Sequence, residues 1–230
     1  MTKYLTLGDR AIVVEFGQII SQELNEIVMA FRQSILLANI IGITEVFPSY
    51  KALTVIYDPI MISYKSLITK LKEAEQNMIK SAPKPPNIIE IPVCYNGKFA
   101  PDIDFVADYH KITADEVIKL HTSKPYLIYM LGFMPGFAFL GELDKTIHMP
   151  RHKSPRTKVP PGSIGITGAQ TCMYAIESPG GLQLIGRTPL KLFDPSRENP
   201  VAYKAGDFIK FVSITSEQYY NLEEVERYDC

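Results

Sequence analysis

The stretch from Gly132 to Arg187 constrains the fold more than any other part of this chain. It contains nine of the 14 glycines, although it is only about a quarter of the 230 residues. Glycine is favoured where the backbone turns tightly or approaches another group closely, because elsewhere it loses more conformational entropy than other residues do. Short β-type runs lie between these glycines, at 164–167, 173–176 and 182–185. We therefore predict tightly turned β-structure for this part of the chain.

A basic segment lies inside this stretch. Residues 151–158 carry four lysine and arginine side chains, and no acidic residue occurs between positions 145 and 176. Arg151 and Arg156 are forked donors that suit a carboxylate or a phosphate, and Lys158 adds a point charge. Such a run of charges either faces water or attracts an anion. The three side chains are therefore candidate anion-binding residues.

Other residues of the stretch suggest a ligand pocket. Gln170 follows a Gly-Ala dipeptide and can offer its amide to a carbonyl or lactam group. The segment Gly132–Gly136 combines flexible backbone with aromatic rings, as ligand pockets do, although such rings more often belong to a core. The predicted lining residues are Phe133, Pro135, Gly136, Phe137 and Arg187.

A nucleotide-binding loop is not predicted. The run 181–188 has nearly the residue spacing of a P-loop, but Arg187 replaces the lysine and the intervening residues are apolar and β-like. Pro189 leaves no room for the helix that a P-loop needs. A β-hairpin that returns through Gly180-Gly181 is the favoured interpretation.

A metal site is not predicted either. His148 and His152 are four residues apart, which suits a metal only in a helix, and Pro150 between them forbids a regular helix. The three cysteines are far apart and form no C-x-x-C motif. Reduced thiols in the cytoplasm are therefore the expectation.

The composition is that of a soluble globular protein, with 46% hydrophobic and 21% charged residues. A net charge of -1 argues against a nucleic-acid partner, because binding to phosphate backbones needs an excess of Lys and Arg. The uncharged run 125–141 is too short for a membrane span and contains helix-breaking Pro135. The N-terminus lacks a hydrophobic signal core. We therefore expect no membrane partner.

The first 82 residues predict a small α+β domain. Their β-type runs and helices follow in the order ββαββα, which is typical of an antiparallel sheet with both helices on one side. Ser21 and Ser63 are the expected helix N-caps. The first helix is expected to fade near Asn39, with Gly42 as its stop. The proline-rich segment 83–87 excludes a helix and favours an extended linker.

Residues 88–230 predict a second domain, mainly of β-structure. Its first strand, 88–95, meets Asn96-Gly97, which is the strongest short hairpin signal. A helical pair follows, and its second helix opens with a capping box. From Tyr126 onward the pattern is strands and turns, with a polar tail from Ser216. Many short strands with Gly and Pro between them indicate a barrel or sandwich.

Several motifs of the chain occur together in one known family, and they cover nearly its whole length. The most specific are Leu131-Gly-Phe-Met-Pro-Gly-Phe137, Pro150-Arg151, Pro155-Arg156, Val159-Pro-Pro-Gly-Ser163, Gln170, Ser178-Pro-Gly-Gly181 and Ile185-Gly-Arg-Thr-Pro189. By these motifs the chain resembles the bacterial allophanate hydrolase subunit 1-like family, which includes the B subunit of 5-oxoprolinase and the sporulation kinase inhibitor KipI.

The resemblance implies a small N-terminal α/β domain followed by an all-β, cyclophilin-like barrel domain. Leu182 stands where the family usually has Trp, and Phe139 where Tyr is common, which bears on the pocket's ligand more than on the fold. His121 and Asp102 match family positions, where they are either accessory site residues or structural ones. No general base is identified.

The family implies three alternative functions. The favoured one is the B subunit of an ATP-dependent 5-oxoprolinase, a non-autonomous component of the complex that opens 5-oxoproline to L-glutamate. Its partners would be the C subunit, which resembles allophanate hydrolase subunit 2, and the LamB/YcsF-like A subunit. The second function is inhibition of a sensor histidine kinase by binding its dimerisation and phosphotransfer domain. The third is a role in urea or allophanate metabolism. The sequence leaves open which component of the complex binds ATP and whether the chain forms homo-oligomers.

Overall fold

The computed structural model describes residues 2–18, 20–78 and 87–228. The chain divides into two compact units, Met1–Pro85 and Pro86–Cys230. The predicted linker, 83–87, lies outside the described residues except for Asn87. None of the helices in the described ranges has both the length and the apolar character that a membrane crossing requires.

The first unit is an antiparallel sheet packed against two helices. Its elements are β1 (Lys3–Leu7), β2 (Ala11–Glu15), α1 (Gln22–Ala38), β3 (Ile43–Pro48), β4 (Ala52–Tyr57) and α2 (Tyr64–Gln76). Across the sheet the strands are ordered β1-β2-β4-β3. Both helices share one hydrophobic cluster with the central strands β2 and β4. The predicted antiparallel sheet with two helices is confirmed.

Side-chain caps set where these two helices begin. Ser21 and Ser63 each accept a hydrogen bond from the backbone N–H three residues ahead. A cap of this kind typically stabilises a helix by about 1 kcal/mol. The first helix ends near Asn39, as predicted, and Asn39 adopts the left-handed conformation with φ 43°. Gly42 shapes the turn into β3, because a Cβ there would lie 2.5 Å from Ile62 Cγ2.

The second unit is built around a closed barrel. Its strands are β5 (Ile88–Cys94), β6 (Tyr126–Leu131), β7 (Ala138–Gly141), β8 (Arg156–Val159), β9 (Ser163–Thr167), β10 (Gln170–Met173), β11 (Ser178–Gly180), β12 (Gln183–Arg187) and β13 (Phe208–Ile214). Its helices are α3 (Ile103–His110), α4 (Ala114–His121) and α5 (Ser216–Tyr228), with short 3-10 turns at Gly97–Phe99 and Lys145–Ile147. The barrel order is β10-β7-β6-β13-β5-β12-β9, while β8 and β11 form a separate ribbon. The predicted barrel is confirmed.

Two hydrophobic clusters lie on opposite faces of the barrel wall. The larger takes residues from all seven barrel strands and from α3 and α4, so it fills the interior. Met173 and Ile185 belong to it, whereas their neighbours Cys172 and Leu184 belong to the smaller cluster. Because successive strand residues point to opposite faces, the smaller cluster lies outside the wall. It includes Val159 of β8, so the β8-β11 ribbon covers it.

Two hairpin predictions in this unit are wrong. The Asn96-Gly97 dipeptide leads into a 3-10 turn, because β5 pairs in parallel with β13 and not with the next strand of the chain. The Gly180-Gly181 dipeptide does not join a hairpin either, since β11 pairs with β8 while β12 pairs with β9 and β5. In both cases a distant strand supplies the hydrogen bonds that a hairpin partner would have made.

The predicted polar tail from Ser216 is also wrong, because this segment forms α5 and the unit is therefore not all-β. A capping box opens the helix, in which Thr215 and Gln218 exchange hydrogen bonds between side chain and backbone. Tyr219 anchors the helix by packing on the ring of Phe99 at 4.2 Å between centroids. The T-x-x-Q pattern was the sequence signal for this helix.

Candidate functional site

The basic segment lies across the start of β12. We call residues 150–156 the strap. The backbone N–H of His152 donates to the carbonyl of Gly181 at 2.8 Å, and the amide Nε2 of Gln183 donates to the carbonyl of Pro150 at 3.0 Å. The strap then continues into β8, which pairs with β11. These bonds hold the strap against the barrel wall.

An ion pair joins the strap to α3. Asp102, at the N-cap position of α3, is only 5% exposed. Nη2 of Arg156 lies 2.6 Å from Asp102 Oδ1, and Nη1 of Arg156 lies 2.8 Å from Nε2 of His152. The same Nε2 is 3.4 Å from Asp102 Oδ2. We call these three residues the strap cluster. The Arg156 and His152 side chains are 31% and 26% exposed, so the cluster opens to solvent above a buried carboxylate.

Asp102 also completes the barrel wall. Its backbone N–H donates to the carbonyl of Leu184 at 3.0 Å, and the N–H of Leu184 donates to Asp102 Oδ2 at 2.6 Å. Leu184 lies on β12, which pairs with β5 at Arg187 and Cys94. Asp102 therefore pairs with the backbone of β12 as a residue of an adjacent strand would. A buried carboxylate is costly unless it is paired and hydrogen-bonded, and Arg156 and Leu184 meet these two needs.

The second arginine of the strap lies near Tyr174. Burial raises the pKa of Tyr174 to about 12, and the positive charges of Arg151 and Arg156 oppose that rise. Both guanidinium groups are therefore close enough to act on this ring. Gly180 makes room for it, because a Cβ at that position would collide with the Tyr174 hydroxyl. The side chain of Arg151 is exposed.

The other predicted anion-binding residues have partners outside the strap cluster. Lys158 Nζ lies 3.1 Å from an oxygen of Glu177, and both side chains are exposed, so this pair contributes little to stability. Gln170 is half-buried at the start of β10, opposite Thr167 of β9. Arg187, a predicted pocket residue, donates from Nε to the carbonyl of Pro161 at 3.0 Å.

The predicted pocket segment between β6 and β7 has an exposed first half and a buried second half. Phe133 is 68% exposed and Pro135 is exposed, whereas Gly136 and Phe137 are buried. Gly136 has a positive φ of 74°, which explains the glycine. The ring of Phe137 packs edge-on against Tyr174 at 4.9 Å between centroids. The buried half of this segment thus supports the ring of Tyr174.

His121 is a residue of the barrel core. It has no exposed surface, and its ring stacks on Phe211 at 4.6 Å. Its Nδ1 lies 2.8 Å from the Tyr95 hydroxyl and its Nε2 lies 2.9 Å from the Thr171 hydroxyl. Burial lowers the pKa of His121 to about 3, so the ring is neutral at ordinary pH. This geometry favours the structural alternative for His121.

No metal cluster adds to this site within the described ranges. No group of three or more His, Cys, Asp or Glu side chains there could hold a metal ion. A cavity of about 300 Å³ lies in the first unit, between α1 and β3, and its lining contains none of the predicted site residues.

Three residues of this region were missed by sequence reasoning. The spacing of His152 suggests only a metal ligand, and the runs that contain Tyr174 and Gln183 suggest only strands. His152 lies in the basic segment, four residues before Arg156. This position was the available signal that the two side chains could meet. The burial of Tyr174 beside two arginines has no local sequence signal, because the chain brings these residues together only on folding.

Comparison with known proteins identifies the family. The chain belongs to the carboxyltransferase domain family, subdomains C and D, which matches residues 2–203. It is 42% identical over 228 residues to the B subunit of 5-oxoprolinase from Bacillus subtilis (strain 168), covering 95% of each chain.

Two solved structures share the fold. The crystal structure of TTHA0988 has a TM-score of 0.79 at 32% identity over 90% of this chain, which spans 40% of that longer chain. The urea amidolyase of K. lactis has a TM-score of 0.82 at 22% identity and covers 98% of this chain, which spans 15% of that protein. At this identity the second likeness shows the fold alone.

Proposed function

We propose that this chain is the B subunit of a 5-oxoprolinase, the enzyme that opens the lactam of 5-oxoproline to L-glutamate. The observation that carries the proposal is the 42% identity to a relative of that name over 95% of both chains. One fold hosts many functions, so a match to a single domain of a longer protein would be weak support for a shared role. A match over nearly the full length of both chains is stronger support. The likeness to urea amidolyase covers a small part of that protein and gives no support for urea as a substrate.

In this function the strap would bind the anionic part of the substrate. 5-Oxoproline carries a carboxylate beside its lactam, and a guanidinium matches a carboxylate in shape and charge. Asp102 and His152 hold the Arg156 guanidinium on one edge, so its remaining N–H groups are presented in a fixed plane. Donors that are already ordered lose less conformational entropy when a ligand binds. Arg151 would add a second, exposed donor near Tyr174.

The chain would act only with partner subunits, one resembling allophanate hydrolase subunit 2 and one resembling the LamB/YcsF proteins. Amide resonance makes the lactam a poor electrophile, and ATP supplies the activation when it is bound in the complex. The arginines of the strap suit phosphate oxygens as well as a carboxylate. Their role is to bind the negative charge of the substrate and to stabilise the negative charge that develops during the reaction. The complex would work in the cytoplasm.

Reconstitution tests this proposal. The purified chain is mixed with the two partner subunits, and ATP hydrolysis that depends on 5-oxoproline is measured. We expect activity only when all three proteins are present, together with formation of glutamate. A complete mixture without activity would refute the proposal. If the same preparation then suppressed autophosphorylation of a sensor histidine kinase at near-stoichiometric ratio, the kinase-inhibitor alternative would replace it.

A further inference from the structure

We propose that the strap cluster binds its anion together with a proton, which His152 takes up from solvent. The ligand class is a small carboxylate or another oxyanion, and its identification as 5-oxoproline rests on the proposed function. His152 then becomes a specificity-determining residue of the site, which couples anion affinity to pH.

Two contacts of His152 exclude each other. Arginine has only donors, so the 2.8 Å contact between Arg156 Nη1 and His152 Nε2 requires Nε2 to be the acceptor. The 3.4 Å contact between the same Nε2 and Asp102 Oδ2 becomes a hydrogen bond only when Nε2 carries a proton. The bond to Arg156 therefore requires the neutral tautomer that carries its proton on Nδ1, and uptake of a second proton, on Nε2, turns the ring to Asp102. Whether Nε2 carries a proton therefore determines whether the ring bonds to Arg156 or to Asp102.

Protonation changes what Arg156 offers to a ligand. While His152 is neutral, one N–H of Nη1 is donated to the imidazole. When the imidazole is protonated, that N–H is released and can point to an anion, while Nη2 keeps its 2.6 Å bond to Asp102 Oδ1. The guanidinium thus gains a donor without losing its anchor.

Protonation also changes the charge of the site. With a neutral imidazole, the charges of Asp102 and Arg156 cancel, and with a protonated one the strap cluster has one net positive charge. Arg151 and Lys153 of the strap are further cations, and Asp104 in the first turn of α3 is an exposed carboxylate. The phenol of Tyr174 stays neutral because burial raises its pKa to about 12. An anion is therefore attracted more strongly when His152 is protonated.

The coupling must be reciprocal. If protonation of His152 raises the affinity for an anion tenfold, saturation with that anion moves the midpoint of the His152 titration up by one pH unit. This shift can be measured on the whole chain without its partners, by following the imidazole carbon-bound protons in NMR spectra between pH 5 and 9. The variant His152→Gln assigns the signal and removes the titrating group while keeping an acceptor for Arg156.

The experiment uses three salts at equal ionic strength: chloride, sulfate and 5-oxoproline. We expect the His152 midpoint to rise by about one pH unit with sulfate and with 5-oxoproline relative to chloride, which is the tenfold coupling stated above. His148 is the internal control, because its Nε2 lies 3.1 Å from the carbonyl of Leu143, outside the strap cluster. In Arg156→Gln the shift should disappear.

The outcomes separate this inference from the function. A shift with both anions supports the proton-coupled site and its assignment to 5-oxoproline. A shift with sulfate alone supports the proton-coupled site and counts against 5-oxoproline as its ligand, hence against the proposed function. An equal shift at His148, or no shift of His152 with either anion, overturns the inference, whatever the activity of the reconstituted enzyme.

Discussion

Two histidines of the second unit show how the same side chain serves opposite purposes. His121 lies inside the barrel between Tyr95 and Thr171, with both ring nitrogens paired and no exposed surface. His152 lies outside the barrel wall, where one ring nitrogen is near both a cation and a carboxylate. The first ring has a single arrangement of partners, and the second has two.

The difference follows from solvent access and from the charge of the partners. Hydroxyl partners in a dry core keep an imidazole neutral and fixed, which suits a structural role. An arginine and an aspartate at a half-open surface let the imidazole exchange partners as it gains a proton. A histidine at a family position therefore says little about catalysis until its partners are known.

The largest effect is expected from His121→Ala. It removes a fully buried ring that stacks on Phe211 and leaves the hydroxyls of Tyr95 and Thr171 without their partner. The free energy of unfolding should fall by about 4 kcal/mol, as for other large-to-small changes in cores. Urea unfolding at pH 7.5 measures it, with His148→Ala as the control that should lose less than about 1 kcal/mol. Equal losses in both variants would contradict the core assignment.

The pH dependence of stability should carry the signature of His121. Its pKa is about 3 in the folded chain, against an ordinary value of 6.5. Below pH 6.5 the unfolded state binds a proton that the folded state does not, so acid destabilises the fold by about 1.4 kcal/mol per pH unit. At pH 4 this residue alone should cost about 3 kcal/mol. Because His121→Gln does not titrate, the stability gap between wild type and variant should narrow as the pH falls. A constant gap would refute the assignment.

A smaller loss is expected from Asp102→Asn. The change removes the countercharge of Arg156, and the new amide cannot satisfy the guanidinium and the N–H of Leu184 as a carboxylate does. Since Arg156 is partly exposed, we expect a loss of about 2 kcal/mol rather than the full cost of a broken buried pair. Thermal or urea unfolding measures it. Asp104→Asn, an exposed neighbour on the same helix, should change stability by less than about 0.5 kcal/mol.

Local patterns predicted most elements of the fold. The caps Ser21 and Ser63 and the box of Thr113 and Glu116 are made by residues three apart, so the sequence contains both partners in one short window. The alternation of apolar residues likewise marked the strands. The prediction missed α5 because Gln218, the partner of Thr215 in its capping box, falls in the segment that its composition marks as a polar tail.

Long-range partners could not be predicted in this way. The bond between Asp102 and Leu184 joins residues 82 positions apart, and the pair of Arg156 with Asp102 joins residues 54 positions apart. The sequence marked Arg156 as a candidate by its charge, its forked donors and its motif, but not by its partners. Its anchoring depends on how α3 packs against β12, which is decided by tertiary packing and not by any local pattern. The two wrong hairpins have the same cause.

The smallest effects should separate the two arginines of the strap. Arg156 makes two bonds from one planar fork, to Asp102 and to His152, and a lysine cannot reproduce both. Arg151 is exposed, and in the proposed function it contributes its charge, which a lysine keeps. In the reconstituted enzyme, Arg156→Lys should raise the KM for 5-oxoproline about tenfold, or about 1.4 kcal/mol, whereas Arg151→Lys should raise it less than about threefold.

The contrast between the two lysine variants carries more information than either value. A lysine at either position keeps the positive charge that stabilises developing charge, so both variants should keep the kcat of the wild type, while the lost fork contacts of Arg156 raise only KM. Unfolding curves that match the wild type within about 1 kcal/mol exclude a general loss of structure. Equal KM values for the two variants would mean that charge alone governs the site and that the Asp102 anchor has no part in binding. A larger effect at Arg151 would move the substrate carboxylate from the strap cluster to the surface beside Tyr174.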